Sequence, residues 1–127
     1  MDHMQISTKF DERDNQGTLR SYGALLDHLC TVVPDGIICF FTSYSYMEHV
    51  IVQWDELNIL KKLREKKLIF IETIDNTETA LALENYKQAC DNGRGAVFFS
   101  IARGKVSEGV DFSNHYGRAV LMLGIPF

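Results

Sequence analysis

Four short runs in this chain are apolar on nearly every residue: Ile37–Phe41, Leu68–Ile71, Ala96–Ser100 and Arg118–Leu123. A strand with one wet face alternates apolar and polar residues; a run without alternation needs cover on both faces. These runs are short for buried helices and have the length of strands. The stretches between them carry helical spacing. Strands alternating with helices imply a parallel sheet joined by crossovers, with helices on both faces. In such sheets ligands gather beyond the carboxyl ends of the strands.

The spacer segments supply the helices. Thr18–Val33 places Leu19, Tyr22, Leu25, Leu26 and Leu29 on one face, and Pro34-Asp35-Gly36 ends it. Ser45 with Glu48 fits a capping box, with Ser43 as the alternative start, and the helix continues through Met47–Val52. Trp54–Lys67 reads as a helix with Trp54, Leu57, Leu60 and Leu63 inward and Lys61, Lys62, Arg64, Lys66 and Lys67 outside. That basic run is read as a solvated face with cations late in the helix rather than a nucleic-acid surface. Asp75–Glu78 offer caps for a helix at Thr79–Cys90, with Ala80, Leu83, Tyr86 and Cys90 inward. Asp91-Asn92-Gly93-Arg94-Gly95 is a stop-and-turn signal, and Arg94, just before the next strand, either holds that turn or supports the ligand-facing surface.

A hydrophobic content of 46% and a charged content of 24% suit one globular domain. The formal charge of −4 excludes a free-standing nucleic-acid binder held by bulk charge. Any such contact must be local or shared with another domain. No run is long and apolar enough to cross a bilayer, so no membrane partner is expected. Met1–Thr8 lacks the apolar core of a signal peptide, and residues 1–5 are set aside as an appended leader. Cys30, Cys39 and Cys90 are widely spaced, odd in number and without a C-x-x-C pair. They are read as small buried residues in a reducing compartment, not as zinc or cluster ligands. His3, His28, His49 and His115 also lack metal-ligand spacing, and no metal site is expected.

The stretch Ser100–Phe112 changes character at the end of its strand. Arg103 and Lys105 bring cations, Glu108 and Asp111 bring carboxylates, and Gly104 and Gly109 allow close approach. Cations suit phosphate; carboxylates suit sugar hydroxyls or a partner arginine. Composition does not choose among these or an ordinary solvated turn. Val110 and Asp111 stand where the phosphate loop G-x-x-x-x-G-K-[ST] needs Lys and Ser/Thr, so this is not a primary triphosphate cradle. The polar Thr42–Ser45 also follows a strand, and both segments should share one edge of the sheet.

Ala102–Phe112 resembles motif V of the iron–sulfur group of superfamily 2 DNA helicases, and Phe41–Tyr44 resembles motif IV. His115–Val120, with Val33–Gly36 and Phe40–Tyr44, resembles the xeroderma pigmentosum group D branch of that group, whose members serve in the transcription and repair factor TFIIH. The resemblance covers nearly the whole chain. It implies a three-layer RecA-like domain with a mainly parallel sheet, truncated: the second lobe of a motor that clamps ATP and Mg2+ against a first lobe not contained in this sequence. By the same resemblance Ser43, Tyr44, Arg103 and Lys105 are candidates for single-stranded DNA contact. Glu108, Gly109 and Asp111 are candidates for the nucleotide-facing side.

The resemblance further implies a nuclear parent that unwinds DNA with 5′-to-3′ polarity in nucleotide excision repair and transcription initiation. Its partners are single-stranded DNA, TFIIH subunits and its own first lobe, and its iron–sulfur cluster sits in an insertion of that first lobe. Walker A, the DEAH-type box, the cluster cysteines and motif VI have no match here, so this chain alone is expected neither to hydrolyse ATP nor to unwind DNA. The alternatives are a protein-interaction module docking on TFIIH partners, another helicase of the same group, or an unrelated phosphate-binding α/β domain.

Overall fold

The computed structural model describes residues 16–124. Residues 1–5, most of the polar stretch Asp11–Gly17 read as a leader with turn character, and the closing residues 125–127 lie outside it. Strands β1 (Gly36–Phe41), β2 (Leu68–Ile71), β3 (Ala96–Ile101) and β4 (Ala119–Leu123) form one sheet in the order β2-β3-β1-β4. Every pairing is parallel. Helices α1 (Gln16–Val32), α2 (Tyr44–Glu56), α3 (Ile59–Lys66), α4 (Asn76–Asp91) and the short α5 (Lys105–Gly109) flank it, with a 3-10 turn at Asn114–Tyr116. The expected α/β architecture with a parallel sheet is what forms.

The unbroken apolar runs of β1 and β3 are explained by two cores, whereas β2 and β4 are only partly covered. All six residues of central β3 are buried. On one face α1, α2 and α3 lay Leu19, Leu26, Met47, Val50, Trp54 and Leu63 over Ile37, Cys39, Phe41, Val97 and Phe99. Trp54 meets Phe41 and Phe99 edge-on, at 6.5 and 5.8 Å between ring centres, and its Nε1 donates to Leu19 O at 2.8 Å. On the other face α4 and α5 bring Tyr86, Ala89 and Val106 against Ile38 and Phe98. That second cover stops short of β4, where Val120 and Met122 are 55% and 47% exposed. The three cysteines are buried thiols. Burial pushes Cys30 and Cys90 up to about 11 and Cys39 above its ordinary value, so they behave as small apolar residues.

Several local expectations are corrected. The segment from Trp54 to Lys67 is not one helix: Trp54 belongs to α2, and Asn58, at φ 62°, breaks the chain before α3. Leu25 is 45% exposed rather than inward, and on α4 Thr79 is buried while Ala80 is exposed. Lys67 is not on a wet face. It is buried, and its Nζ donates to Asp35 O at 2.8 Å. Ser43, not Ser45, caps α2: its Oγ accepts from the Tyr46 amide at 3.1 Å. Asp75 caps α4 by accepting from the Glu78 amide at 2.9 Å. The turn before β3 uses positive φ at Gly93 and Gly95, as its glycines allow.

Candidate nucleotide and DNA-facing edge

β1 and β3 are neighbours, but the chain leaves them in opposite directions. From β1 it passes into α2 on the first face; from β3 it passes into α5 on the second. Parallel strands whose connections diverge in this way open a crevice at their carboxyl ends. The amide of Ala102 donates to Phe41 O at 2.8 Å, so residues 42–44 and 102–104 begin side by side. The two polar segments, about sixty residues apart in sequence, thus share one edge, as expected.

The second segment is not the open loop its composition suggests. After Ile101 the chain turns through residues 102–104, closed by the Gly104 amide donating to Ile101 O at 3.0 Å. Arg103 takes φ 63° in that turn, a conformation uncommon for a residue with a side chain, and is exposed. A Cβ on Gly104 would lie 3.0 Å from Ile101 O and 3.3 Å from the Glu72 carboxylate, a tight fit that a side chain could take only if these neighbours gave way slightly. Val106 is buried, and Val110 and Phe112 pack against the same core. Phe112 meets Tyr86 edge-on at 6.0 Å. These apolar anchors leave Glu108, Gly109 and Asp111 exposed. The Asp111 Oδ1 accepts from the Ser113 amide at 3.0 Å, and nothing crowds Gly109. The Lys105 backbone opens α5; its side chain lies outside the described residues.

The first segment is built around the start of α2. Ser43 spends an acceptor on the Tyr46 amide, and its hydroxyl sits 3.3 Å from the Ser45 hydroxyl. Tyr44 is half-buried, and its OH donates to Glu72 Oε2 at 2.7 Å. Burial, with the Glu72 hydrogen bond and charge behind it, pushes this phenol up to about 12, so it stays a donor near neutral pH. Glu72 is the buried neighbour of this edge that sequence reasoning missed. It stands just past β2, reads as an ordinary turn residue, and is fully buried.

The edge is divided in charge. On its β2 side a groove of about 510 Å³ runs beside Tyr44 past Glu48, Asp75 and Glu78. Those carboxylates repel a phosphate chain, whereas the segment after β3 mixes the exposed Arg103 with the exposed Glu108 and Asp111. Arg94 and Arg118 sit at the opposite, amino edge. Arg94 Nη1 donates to Lys66 O at 3.0 Å, and Arg118 pairs with Asp35 at 2.8 Å. Arg94 therefore holds a turn and does not support the candidate edge. Among the described residues no group of three or more His, Cys, Asp or Glu side chains could hold a metal ion.

Known proteins contain stretches similar to this chain. Residues 26–127 match the helicase C-terminal domain family. Over 126 residues the chain is 59% identical to the general transcription and DNA repair factor IIH helicase subunit XPD of Arabidopsis thaliana, covering 99% of this chain and 17% of that protein. It is 60% identical to the subunit of the same name in Dictyostelium discoideum, covering 99% of this chain and 16% of that protein. A regulator of telomere elongation helicase 1 homolog of Drosophila yakuba is 35% identical, over 99% of this chain and 13% of that protein. The chain thus spans about a sixth of the length of its XPD relatives. With an all-parallel sheet, diverging loops at its carboxyl edge and a family match over four-fifths of its residues, the chain belongs to the helicase C-terminal domain family.

Proposed function

We propose that this chain is part of the second motor lobe of an ATP-dependent, 5′-to-3′ DNA helicase of the XPD type. The parent is a nuclear TFIIH subunit that acts in nucleotide excision repair and transcription initiation. The observation that carries the reading is the meeting of residues 42–44 and 102–104 at one edge, joined by the Ala102-to-Phe41 hydrogen bond.

In this reading Arg103 and Lys105 hold the phosphates of a single strand as charged donors. The Ser43 hydroxyl adds a donor at the start of α2, where backbone amides also face outward. The Tyr44 hydroxyl is tied inward to Glu72, so only the exposed part of its ring is left to meet a base. Glu108 and Asp111 face the nucleotide side, where carboxylates accept from ribose hydroxyls or orient an arginine of the first lobe. Gly109 leaves room for that approach. The exposed carboxylates fit half a nucleotide pocket, not a whole one. When bound between the lobes, ATP with Mg2+ supplies the phosphoanhydride whose cleavage lets the lobes part. The segment from Arg103 to Asp111 then reports lobe closure to the strand, because its two ends serve different ligands and its middle is pinned by Val106. The iron–sulfur cluster and the remaining phosphate ligands belong to the rest of the parent.

Strand-displacement assays with the full-length parent test the proposal. Unwinding of a duplex with a 5′ single-stranded tail, but not a 3′ tail, is expected. Equal activity on both tails, or none on either with ATP present, overturns it.

A further inference from the structure

Three donors from two separate elements, the first residue of α2 and the last two of β3, converge on one buried carboxylate. Glu72 Oε1 accepts from Ser100 Oγ at 2.6 Å and from the Ile101 amide at 3.2 Å; Oε2 accepts from Tyr44 OH at 2.7 Å. Ladder geometry explains the site. The Glu72 amide still donates to Phe99 O at 2.8 Å, and the next rung would join the Ile101 amide to the backbone of β2. β2 ends at Ile71, and the Glu72 side chain takes over that rung. Its second oxygen then reaches past β3 to the first residue of α2. An ionised carboxylate accepts at both oxygens and donates nothing, which suits three converging donors.

We propose that Glu72 is a positioning residue that locks the motif IV segment to the end of β3, from which the motif V segment leaves, so that nucleotide-driven movement of one reaches the DNA grip of the other. The proposal rests on reading this edge as the strand-binding surface of a helicase. No part of it needs Glu72 to touch DNA or nucleotide; the residue acts through Tyr44, Ser100 and Ile101.

The test uses the full-length parent helicase and separates ATP turnover without DNA from turnover with saturating single-stranded DNA. Glu72→Gln keeps one accepting oxygen for Ser100 and Ile101 and a polar group for Tyr44; its stimulated rate is expected to stay near the wild-type value. Glu72→Met has similar bulk but no acceptor. Its DNA-stimulated rate is expected to fall about tenfold, the scale of a small misplacement, with the DNA-independent rate unchanged. Should Glu72→Met fold poorly, the pair Tyr44→Phe and Ser100→Ala cuts the two arms singly. Each is expected to lower stimulation, and the double variant to be no worse than either single. Rates that fall together in proportion to lost folded protein, or arms whose effects multiply, overturn the proposal. Arg103→Ala in the same assay separates the two readings. If it leaves DNA affinity intact, the strand-binding reading fails; if it weakens affinity while Glu72→Met keeps wild-type stimulation, only the Glu72 proposal fails.

Discussion

Trp54 shows how one residue joins sequence pattern to packing. It is fully buried, stacks edge-on against rings from β1 and β3, and satisfies its one polar atom on the carbonyl of Leu19. Trp54→Ala removes the largest side chain of the first core and should cost about 3–5 kcal/mol, measured by urea unfolding. At the surface, Asp91 accepts from His115 at 2.6 Å and from Tyr116 at 2.8 Å, tying α4 to the turn before β4. The His115 hydrogen bond first, and then that of Tyr116, hold its carboxyl below the usual range. A depressed carboxylate contributes stability that is complete above its unfolded pKa, about 3.9, and is lost as pH falls through the lower folded value. Asp91→Asn should therefore lower the melting temperature at neutral pH, and the gap from wild type should close in strong acid. The inward roles of Glu72 and Lys67 were not legible in the sequence, since both follow or precede an apolar run as any turn residue would. Their partners come from other elements.

At the scale of elements, β1 and β3 were readable because their signal is local: a run that must be covered on both faces is apolar throughout, while β4 is as apolar with Val120 and Met122 left exposed. Helix phase and ends were less so. Trp54, Leu57, Leu60 and Leu63 fit a single helix, yet the chain folds as two around Asn58. Tertiary packing decides this. Gly23 of α1 lies against Ile59 and the Trp54 ring so closely that a Cβ there would sit 2.9 Å from Ile59, and the break lets both α2 and α3 press onto α1. Asn58 holds a left-handed conformation that asparagine and glycine tolerate. Asn58→Gly should leave stability nearly unchanged, whereas Asn58→Val should cost about 1–2 kcal/mol, as urea midpoints would show. The cap of α2 follows the same logic. Ser43 and Ser45 are both competent, and the path of the chain out of β1 selects Ser43.

Across the whole molecule the net charge of −4 coexists with an edge that carries carboxylates beside β2 and Arg103, with Glu108 and Asp111, after β3. A single-strand contact here must then be local and counted in individual phosphates. In the full-length parent, Arg103→Ala should reduce the slope of log affinity against log salt by about 0.7, the value for one phosphate contact on a single strand, read by anisotropy of a labelled oligonucleotide. An unchanged slope would place Arg103 off the strand. The sequence by itself determined that the sheet is parallel, where its strands lie and that polar segments follow them, because burial on two faces and helical spacing are written in neighbouring residues. Only the tertiary structure decided that β3 inserts between β2 and β1, that the loops after β1 and β3 diverge to opposite faces, and that Glu72 ties the start of α2 to the end of β3. Strand order depends on which surfaces bury each other across the fold, and no local pattern carries that information.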